Sequence, residues 1–398
     1  MRKPDFCSGV SGRWGKRSHL FWNRSRLCSG LAYIVGVLLL SLLMAISCKK
    51  NPTPGEPPPT GPDTTSHHFA WQIDTFGTEN SVFFDVAVID ENNIWAVGEI
   101  HTAQTDTFDS LGNWVPPYNA VHWDGRHWEL RRINFYLCPN GTSPTPFPIQ
   151  AVYAFSENDI WFTRGASFVH WDGIRFVHDC SMNRIIGGSI QRIWGKNSEN
   201  LYAVGYSGTI IHYDGQHWQE MDSGTDVDLT DIWGSPDGSI VWACGWKDLP
   251  PKTVLLKQSS GSWEVVYEDE QHLTSLRQDS LSGVLISLWT NTSDSLYLLS
   301  TTGIYTAPAH TTGVARRLWN QSLFLPGFPR RIRGRAANDL VMVGDFGMVG
   351  HYNGASWKLY EELTGRIRSR SVVFNGAGIL AVGVDVASNQ ATIIRGIR

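Results

Sequence analysis

Short apolar or alternating runs, separated by turn signals, fill most of the chain after residue 68. Around residues 190–224 there are four of them: Ile190–Trp194, Leu201–Val204, Thr209–Tyr213 and His217–Met221. Asp214-Gly215 joins the last two runs. Asp-Gly between alternating runs favours a type I′ hairpin, because both central residues of that turn need positive φ. The pattern therefore predicts a four-stranded antiparallel meander.

The second run of this unit recurs along the chain. Seven copies begin at Ile94, Ile160, Leu201, Val241, Leu296, Leu340 and Ile379, and successive copies start 66, 41, 40, 55, 44 and 39 residues apart. A basic unit near 40 residues is typical of a four-stranded propeller blade. We therefore predict an all-β fold, a seven-bladed β-propeller of four-stranded antiparallel blades over residues 69–398. An open or six-bladed array is the alternative.

The seventh repeat is one strand short. After Ile379–Val384 it has only the run Ala391–Ile397 before the chain ends. The run Phe69–Gly77 precedes the first blade and has the pattern of an unattached fourth strand. We predict that this N-terminal strand completes the last blade, because an unclosed ring would leave an exposed sheet edge at each end.

The first 47 residues are typical of an export signal. A basic leader is followed by an apolar run from Leu31 to Ser47, which is short for a bilayer span. The run ends Ala45-Ile46-Ser47-Cys48, which resembles a bacterial lipobox except for Ala45. This resemblance implies cleavage before Cys48 and lipidation of Cys48, and an uncleaved signal anchor is the alternative. The Pro-rich tract that follows predicts an extended tether over residues 48–68.

The repeat motifs also resemble a known family. Blade 1 carries Ile94-Trp-Ala-Val-Gly98, then Trp123-Asp-Gly125, then Trp128, and most other blades carry variants. The whole domain resembles bacterial secreted and lipoprotein β-propellers built from Ile-Trp-Ala-Val-Gly, Trp-Asp-Gly and Trp repeats. The resemblance is specific for the fold and says little about activity. With the lipobox, it implies an exported protein anchored to a bacterial envelope membrane, with the outer membrane or cell surface favoured.

Charge argues against nucleic acid as a partner. Without the first 47 residues, which hold seven Lys or Arg and one Asp, the chain keeps 26 basic and 36 acidic residues, a net charge of −10. Affinity for nucleic acid comes largely from neutralising phosphates with basic side chains. A basic patch for anionic lipid is disfavoured for the same reason.

Histidines recur at one position of the third strand: His122, His170, His212 and His351. That strand lies two strand spacings, about 10 Å, outward from the propeller axis. Equivalent positions in different blades therefore cannot converge on a metal at about 2 Å. We interpret these histidines as structural, and the sequence predicts no metal, no cofactor and no catalytic residue.

The long connections point to one face of the ring. In a propeller the connections from strand 2 to 3 and from strand 4 to the next blade share a face, which we call the insertion face. Insertions fall there, at residues 99–119, 135–148, 246–252 and 320–329. Long loops on a rigid scaffold commonly bind ligands. The candidate ligand-binding residues are the aromatic residues Trp114, Tyr118, Phe135, Tyr136 and Trp246; packing of these side chains onto the ring is the alternative.

Cys138 and Cys180 follow the fourth strands of adjacent blades, hence on the insertion face. A disulfide between them is compatible with an exported compartment, although the sequence does not give their separation.

These observations favour a membrane-tethered, non-catalytic binding or scaffold module for a protein or a glycan. One alternative is a glycan-active hydrolase or lyase that uses acidic residues of the insertion face, such as Glu99, Asp106, Asp109 or Asp248. Such an enzyme needs two carboxylates roughly 5–10 Å apart. A purely structural envelope protein is the other alternative.

Overall fold

A computed structural model describes residues 63–136, 143–184, 188–271, 280–309, 315–319 and 325–398. The predicted signal peptide, Cys48 and all of the predicted tether up to residue 62 lie outside the described residues. Within the described residues no helix is long and apolar enough to cross a membrane.

The described strands form seven four-stranded antiparallel sheets, as predicted. Within each blade the strands are given from the innermost outward: blade 1 has Val82–Asp90, Asn93–Ile100, Tyr118–Trp123 and Trp128–Arg131, blade 2 has Ala151–Ser156, Asp159–Arg164, Ser167–Trp171 and Phe176–Asp179, and blade 3 has Ile190–Asn197, Asn200–Gly205, Ile210–Tyr213 and Trp218–Met221. Blade 4 has Leu229–Gly234, Val241–Asp248, Pro251–Ser259 and Ser262–Asp269, and blade 5 has Leu285–Trp289, Ser295–Ser300, Gly303–Pro308 and Arg316–Arg317. Blade 6 has Pro329–Ala336, Asp339–Gly344, Val349–Tyr352 and Trp357–Leu359, and blade 7 has Ile367–Asn375, Gly378–Asp385, Gln390–Ile397 and Ala70–Phe76.

The N-terminal strand closes the ring. Ala70–Phe76 pairs antiparallel with Gln390–Ile397, in register from Ala70 opposite Ile397 to Phe76 opposite Ala391. Seven blades and closure by the first strand are thus confirmed. The open and six-bladed alternatives are excluded.

Aromatic side chains at repeated positions fill the space between neighbouring blades. Trp161 of blade 2 lies 5.1 Å from Tyr213 and 6.0 Å from Trp218 of blade 3, between ring centroids, and Phe168 stacks on the same Trp218 at 4.2 Å. Such pairs add to the burial of the rings themselves. The repeated aromatics therefore belong to the core.

Close packing between blades also explains a repeated glycine. A Cβ atom added to Gly234 in blade 4 would lie 2.3 Å from the indole of Trp194 in blade 3. The first strand of one blade can approach the tryptophan of the previous blade only where this side chain is missing.

Smaller elements decorate the ring. Two-residue ribbons pair Thr107–Phe108 with Trp114–Val115 and Phe135–Tyr136 with Pro144–Thr145. Short 3₁₀ helices cover Ser181–Arg184, Asp345–Gly347 and Glu361–Leu363. The stretch 246–252, predicted as an inserted loop, is instead the tip of an extended hairpin between Val241–Asp248 and Pro251–Ser259.

Candidate functional site

The first strands carry a repeated irregularity close to the insertion face. In six blades the pairing of the first and second strands skips one residue of the first strand, which is a β-bulge. The skipped residues are Phe84, Gln191, Thr230, Ile286, Arg330 and Arg370. Gln150 of blade 2 lines the same cavity as these six. Each blade therefore contributes one residue to a ring at this end of the central channel, which we call the channel mouth.

The channel mouth is small and rich in arginine. It encloses about 170 Å³ and includes Arg192, Arg330, Arg331 and Arg370, with Trp246 and Phe328 at its side. None of the described residues that line it is Asp or Glu. Four guanidinium groups thus share a cavity whose own walls supply no countercharge.

Two of the four arginines have carboxylate partners behind the cavity wall. Arg330 donates two hydrogen bonds to Asp345, at 2.9 and 3.0 Å, and its guanidinium lies over the ring of Phe328. Arg331 forms an ion pair with Asp231, which is fully buried between blades. These contacts hold both side chains in place.

The other two arginines have no such partner. Within the described residues no carboxylate forms an ion pair with Arg192 or Arg370. Arg192 donates to the carbonyl oxygens of Gln191 and Arg370, at 2.8 and 3.5 Å, and Arg370 lies over the ring of Phe84. The contacts that position these two guanidinium groups are therefore with backbone carbonyl oxygens and an aromatic ring.

Three guanidinium nitrogens of the channel mouth are buried without a hydrogen-bond partner among the described residues. They are the Nε atoms of Arg192, Arg331 and Arg370. A buried donor without an acceptor costs about 1–3 kcal/mol, and more when the group is charged. Three of the four arginines that line the cavity are therefore incompletely hydrogen-bonded within the described protein.

Burial and mutual repulsion act on these cations. Burial, followed by the charge of Arg192, lowers the pKa of Arg331 to about 9, although Asp231 opposes the shift. Burial and the neighbouring Arg330, Arg368 and Arg192 lower the pKa of Arg370. An anion in the cavity would relieve both effects.

Below the mouth, a buried ionic network joins three blades. Asp231 of blade 4 accepts hydrogen bonds from both terminal nitrogens of Arg333 at 2.9 Å and from the hydroxyl of Ser287 at 2.5 Å. Burial alone would raise the pKa of Asp231, but Arg331 and Arg333 outweigh it and hold this pKa well below its usual range. The network fixes the first strands of blades 4, 5 and 6 to one another.

The channel continues beneath this network as a second cavity of about 250 Å³. Trp233, Trp289 and Arg333 contribute to its wall, and the Arg333 guanidinium lies 4.3 Å from the centre of the Trp233 ring. Its carboxylate, Asp85, is engaged by the Ser371 hydroxyl at 2.6 Å and the backbone N–H of Val152 at 3.2 Å. The one carboxylate of this wall is therefore hydrogen-bonded within the protein.

The aromatic candidates from the sequence fall in two places. Trp246 lines the channel mouth, with its ring 6.4 Å from that of Phe328. The other four lie in the insertions of blade 1 and are brought together neither with Trp246 nor at the mouth. Trp246 is therefore the one predicted ligand-binding residue at the arginine cluster.

The four blade 1 aromatics differ in exposure. Trp114 is 51% exposed and stands against Phe108 in the small ribbon, whereas Phe135 is 1% exposed and belongs to the core. Tyr118 lies beneath the Arg132 guanidinium at 3.9 Å, and Tyr136 contacts His178. Trp114 and Tyr136 remain accessible to a partner, and Phe135 serves packing.

Only one of the two cysteines of the candidate disulfide lies within the described residues. Cys180 is disulfide-bonded. Cys138 lies outside the described residues, so its pairing with Cys180 stays a prediction. Cys244 is a free, buried thiol, and burial raises its pKa well above the usual value.

The repeated histidines make one repeated contact. Each places Nε2 within 3.0 Å of the Asn or Asp that begins the second strand of its blade: His122 with Asn93, His170 with Asp159, His212 with Asn200 and His351 with Asp339. Burial lowers the pKa of His122 and His212. These contacts support the structural interpretation. Among the described residues no cluster of His, Cys, Asp or Glu suits a metal ion.

Two of the acidic residues considered for catalysis accept hydrogen bonds from their own loop. Asp106 accepts a hydrogen bond from His101 at 2.6 Å, and Asp109 accepts backbone N–H groups of Leu111 and Asn113 at 2.8 Å. Neither these two nor Glu99 and Asp248 lines the described channel cavities. The described channel walls thus do not bring two free carboxylates together.

Comparison with known proteins supports the fold. No family model matches the chain. It is 38% identical over 80 residues to the immune protein Tsi7 of Pseudomonas aeruginosa, a match that covers 20% of this chain and 24% of that protein. The chain thus spans about a quarter of the length of this curated relative.

Solved propellers superpose over most of the chain. YCF48 bound to D1 peptide is 14% identical, covers 85% of this chain and 98% of its own, and has a TM-score of 0.59. Virginiamycin B lyase from Staphylococcus aureus is 11% identical, with 83% and 100% covered and a TM-score of 0.56. The WD40 propeller of Doa1 is 13% identical, with 82% and 97% covered and a TM-score of 0.56. At such identities the likeness establishes the fold alone.

Proposed function

We propose that this protein is a non-catalytic binding module that takes a protein partner on its insertion face. The distribution of exposed apolar side chains carries the proposal. Nine large hydrophobic residues are exposed in the described connections between the blade strands, and eight lie on the insertion face: Phe108, Leu111, Trp114, Tyr136, Tyr206, Leu249, Phe346 and Val386. Ile174 is the ninth. The concentration of exposed apolar groups on one face supports an interaction surface there.

Similar proteins add support of a general kind. YCF48 shares the fold and was solved with a peptide bound, and the partial relative Tsi7 is an immune protein. The same fold also carries a lyase, but the described channel walls here lack paired carboxylates. We therefore favour a protein ligand over glycan chemistry.

Site-specific photo-crosslinking tests the proposed face. A benzophenone amino acid at Leu249 or Leu111, which are 89% and 84% exposed, should capture one defined partner band in cells of the native host. The matched control is Ile174, which is 86% exposed on the opposite face. Capture at all three positions, or only at Ile174, would contradict the proposal.

We further propose that the module is exported and held at a bacterial envelope membrane by a lipid on Cys48. The support comes from residues 1–68, namely the basic leader, the apolar run, the lipobox-like end and the Pro-rich tract. A tethered propeller would meet its partners at that surface.

A further inference from the structure

The channel mouth is lined by positively charged residues, although the protein as a whole is acidic. The chain after residue 47 has a net charge of −10. At the mouth, however, neither Arg192 nor Arg370 forms an ion pair with a described carboxylate, and the attraction of Asp345 for Arg370 is outweighed by burial and neighbouring arginines. Asp345 is shared by Arg330 and Arg368, at 2.9 and 3.5 Å, and Asp231 is shared by Arg331 and Arg333. The surplus of cations over carboxylates is local and needs an explanation.

Some guanidinium N–H groups of the channel-mouth arginines have no hydrogen-bond acceptor among the described residues. Arg331 is 3% exposed and its Nε has no partner among the described residues, and the Nε atoms of Arg192 and Arg370 are in the same state. All three residues line one cavity. These Nε atoms are shielded by protein atoms, so they do not themselves face the cavity space. The cavity wall nevertheless contains four arginines and no described acidic residue, a composition that suits an anion.

The size and walls of the cavity limit what that anion can be. A volume of about 170 Å³ is close to that of a cavity that holds one benzene molecule, roughly 150 Å³. A single acidic side chain or a chain terminus fits such a space. Phe84, Trp246 and Phe328 give the walls an apolar part that suits the methylene groups of such a ligand.

We propose that the channel mouth binds one carboxylate group of an extended peptide segment of the partner, either an Asp or Glu side chain or a C-terminal carboxylate. Guanidinium forks bind planar carboxylates through two parallel hydrogen bonds, which fixes both position and orientation. Arg330, held by Asp345, and Arg331, held by Asp231, form the rigid side of the site. Arg192 and Arg370 supply the uncompensated charge. This inference deepens the proposed function and rests on it.

Peptide titration of the purified protein tests the proposal. The probes are three pentapeptides of Gly and Ala: one with a free C-terminal carboxylate, one amidated with a central Glu, and one amidated with a central Gln. Inorganic phosphate is the fourth probe. Binding is followed by calorimetry and by fluorescence of Trp246, with Trp246→Phe as the variant that identifies the signal. We expect saturable binding of at least one carboxylate peptide and none of the Gln peptide.

Matched arginine variants locate the site. Arg370→Gln and Arg192→Gln should each weaken binding about tenfold or more, since each removes charge-assisted hydrogen bonds. Arg366→Gln is the control, because Arg366 lies four residues before Arg370, carries the same charge, pairs with Asp385 and does not line the mouth. Arg370→Lys should also weaken binding because it keeps the charge and loses the fork. Unchanged thermal unfolding shows that each variant is folded.

Each outcome bears on the proposal. It is overturned if no carboxylate peptide binds, if the Gln peptide binds equally well, or if Arg366→Gln weakens binding as much as Arg370→Gln. Binding of phosphate but not of the peptides also overturns it, in favour of a free inorganic anion. Crosslinks at Leu249 and Leu111 without carboxylate binding would leave the proposed function standing and remove this inference alone.

Discussion

At the scale of single residues, one buried carboxylate holds two arginines of the channel in place. Asp231 of blade 4 is fully buried and engages Ser287 of blade 5 and Arg331 and Arg333 of blade 6. The local sequence around Asp231 does not predict this role, because its partners lie roughly 56 to 102 residues away along the chain. Removing one partner of such a network leaves uncompensated buried charge.

We therefore expect Asp231→Asn to lower the free energy of unfolding by about 3–5 kcal/mol at neutral pH, because two guanidinium groups lose their countercharge. Urea unfolding followed by tryptophan fluorescence measures the change. The control is Glu220→Gln, an exposed position on the outer strand of blade 3, for which we expect less than about 0.5 kcal/mol. A loss as small as that of the control would mean that the network is not stabilising.

Acid should reduce this contribution. The folded-state pKa of Asp231 lies below its ordinary value of 3.8. A depressed carboxyl pKa contributes stability that is present above the unfolded-state pKa and is lost as the pH falls through the folded-state pKa. The difference in unfolding free energy between the wild type and Asp231→Asn should thus be full at pH 5 and shrink below pH 4. A constant difference down to pH 2 would contradict this assignment.

At the scale of elements, the β-bulges and the closing strand carry the architecture. A bulge near the start of the first strand recurs in six blades, and it is what brings Phe84, Gln191, Thr230, Ile286, Arg330 and Arg370 to one ring. The strand Ala70–Phe76 covers the edge of Gln390–Ile397. Without that strand, blade 7 would end in a row of unpaired backbone groups.

A chain that begins at Thr78 should therefore be less stable than one that begins at Phe69. We expect a fall in the unfolding temperature on the order of 10 °C and a tendency to aggregate, since several kcal/mol of strand pairing and aromatic burial are lost. Thermal unfolding and light scattering measure both. A synthetic peptide of residues 66–77 should restore part of the stability. Equal stability of the two chains would show that closure is dispensable.

The disulfide prediction belongs to the insertion-face loops. Peptide mapping without reductant should recover one crosslinked pair that joins Cys138 to Cys180. Cys244 serves as the internal control. It is buried with a raised thiol pKa, so iodoacetamide should modify it only after unfolding. A crosslink from Cys180 to any other cysteine would contradict the pairing.

At the scale of the whole molecule, ring closure turns residues far apart in sequence into neighbours around one axis. Arg192 of blade 3 donates to the backbone of Arg370 in blade 7. The exposed apolar side chains of the insertion face come from blades 1, 3, 4, 6 and 7 in the same way.

Lipid anchoring predicts a covalent lipid on Cys48, which would attach the mature protein to the bilayer. Cys48→Ser should abolish incorporation of labelled palmitate and should leave residues 1–47 attached, because lipidation and cleavage before Cys48 both depend on this cysteine. Cys28→Ser, in the leader and outside the lipobox-like sequence, is the matched control and should keep the label and the mass of the cleaved protein. If the wild type takes up no label and keeps its leader, the uncleaved signal anchor is the better account.

The sequence by itself determined the blades, their number and the closing strand. Strand periodicity and Asp-Gly turns are local properties, and each blade repeats them, so Ile94, Leu201 and Leu340 are recognisable without any knowledge of the fold. The same local signals identified the structural histidines and the face that carries the insertions. They also pointed to Trp246, the aromatic that does lie at the channel mouth.

Only the tertiary structure decided that four arginines meet there. Arg192, Arg330, Arg331 and Arg370 sit in first strands of three blades and share no sequence motif. Their convergence depends on a one-residue bulge in each strand and on the curvature that closes seven sheets into a ring. The structure also distinguished Phe135, which is buried, from Trp114, which is exposed, although the sequence presents both as aromatic residues of long loops. Local pattern specifies elements, whereas the surroundings of a side chain depend on contacts between elements distant in sequence.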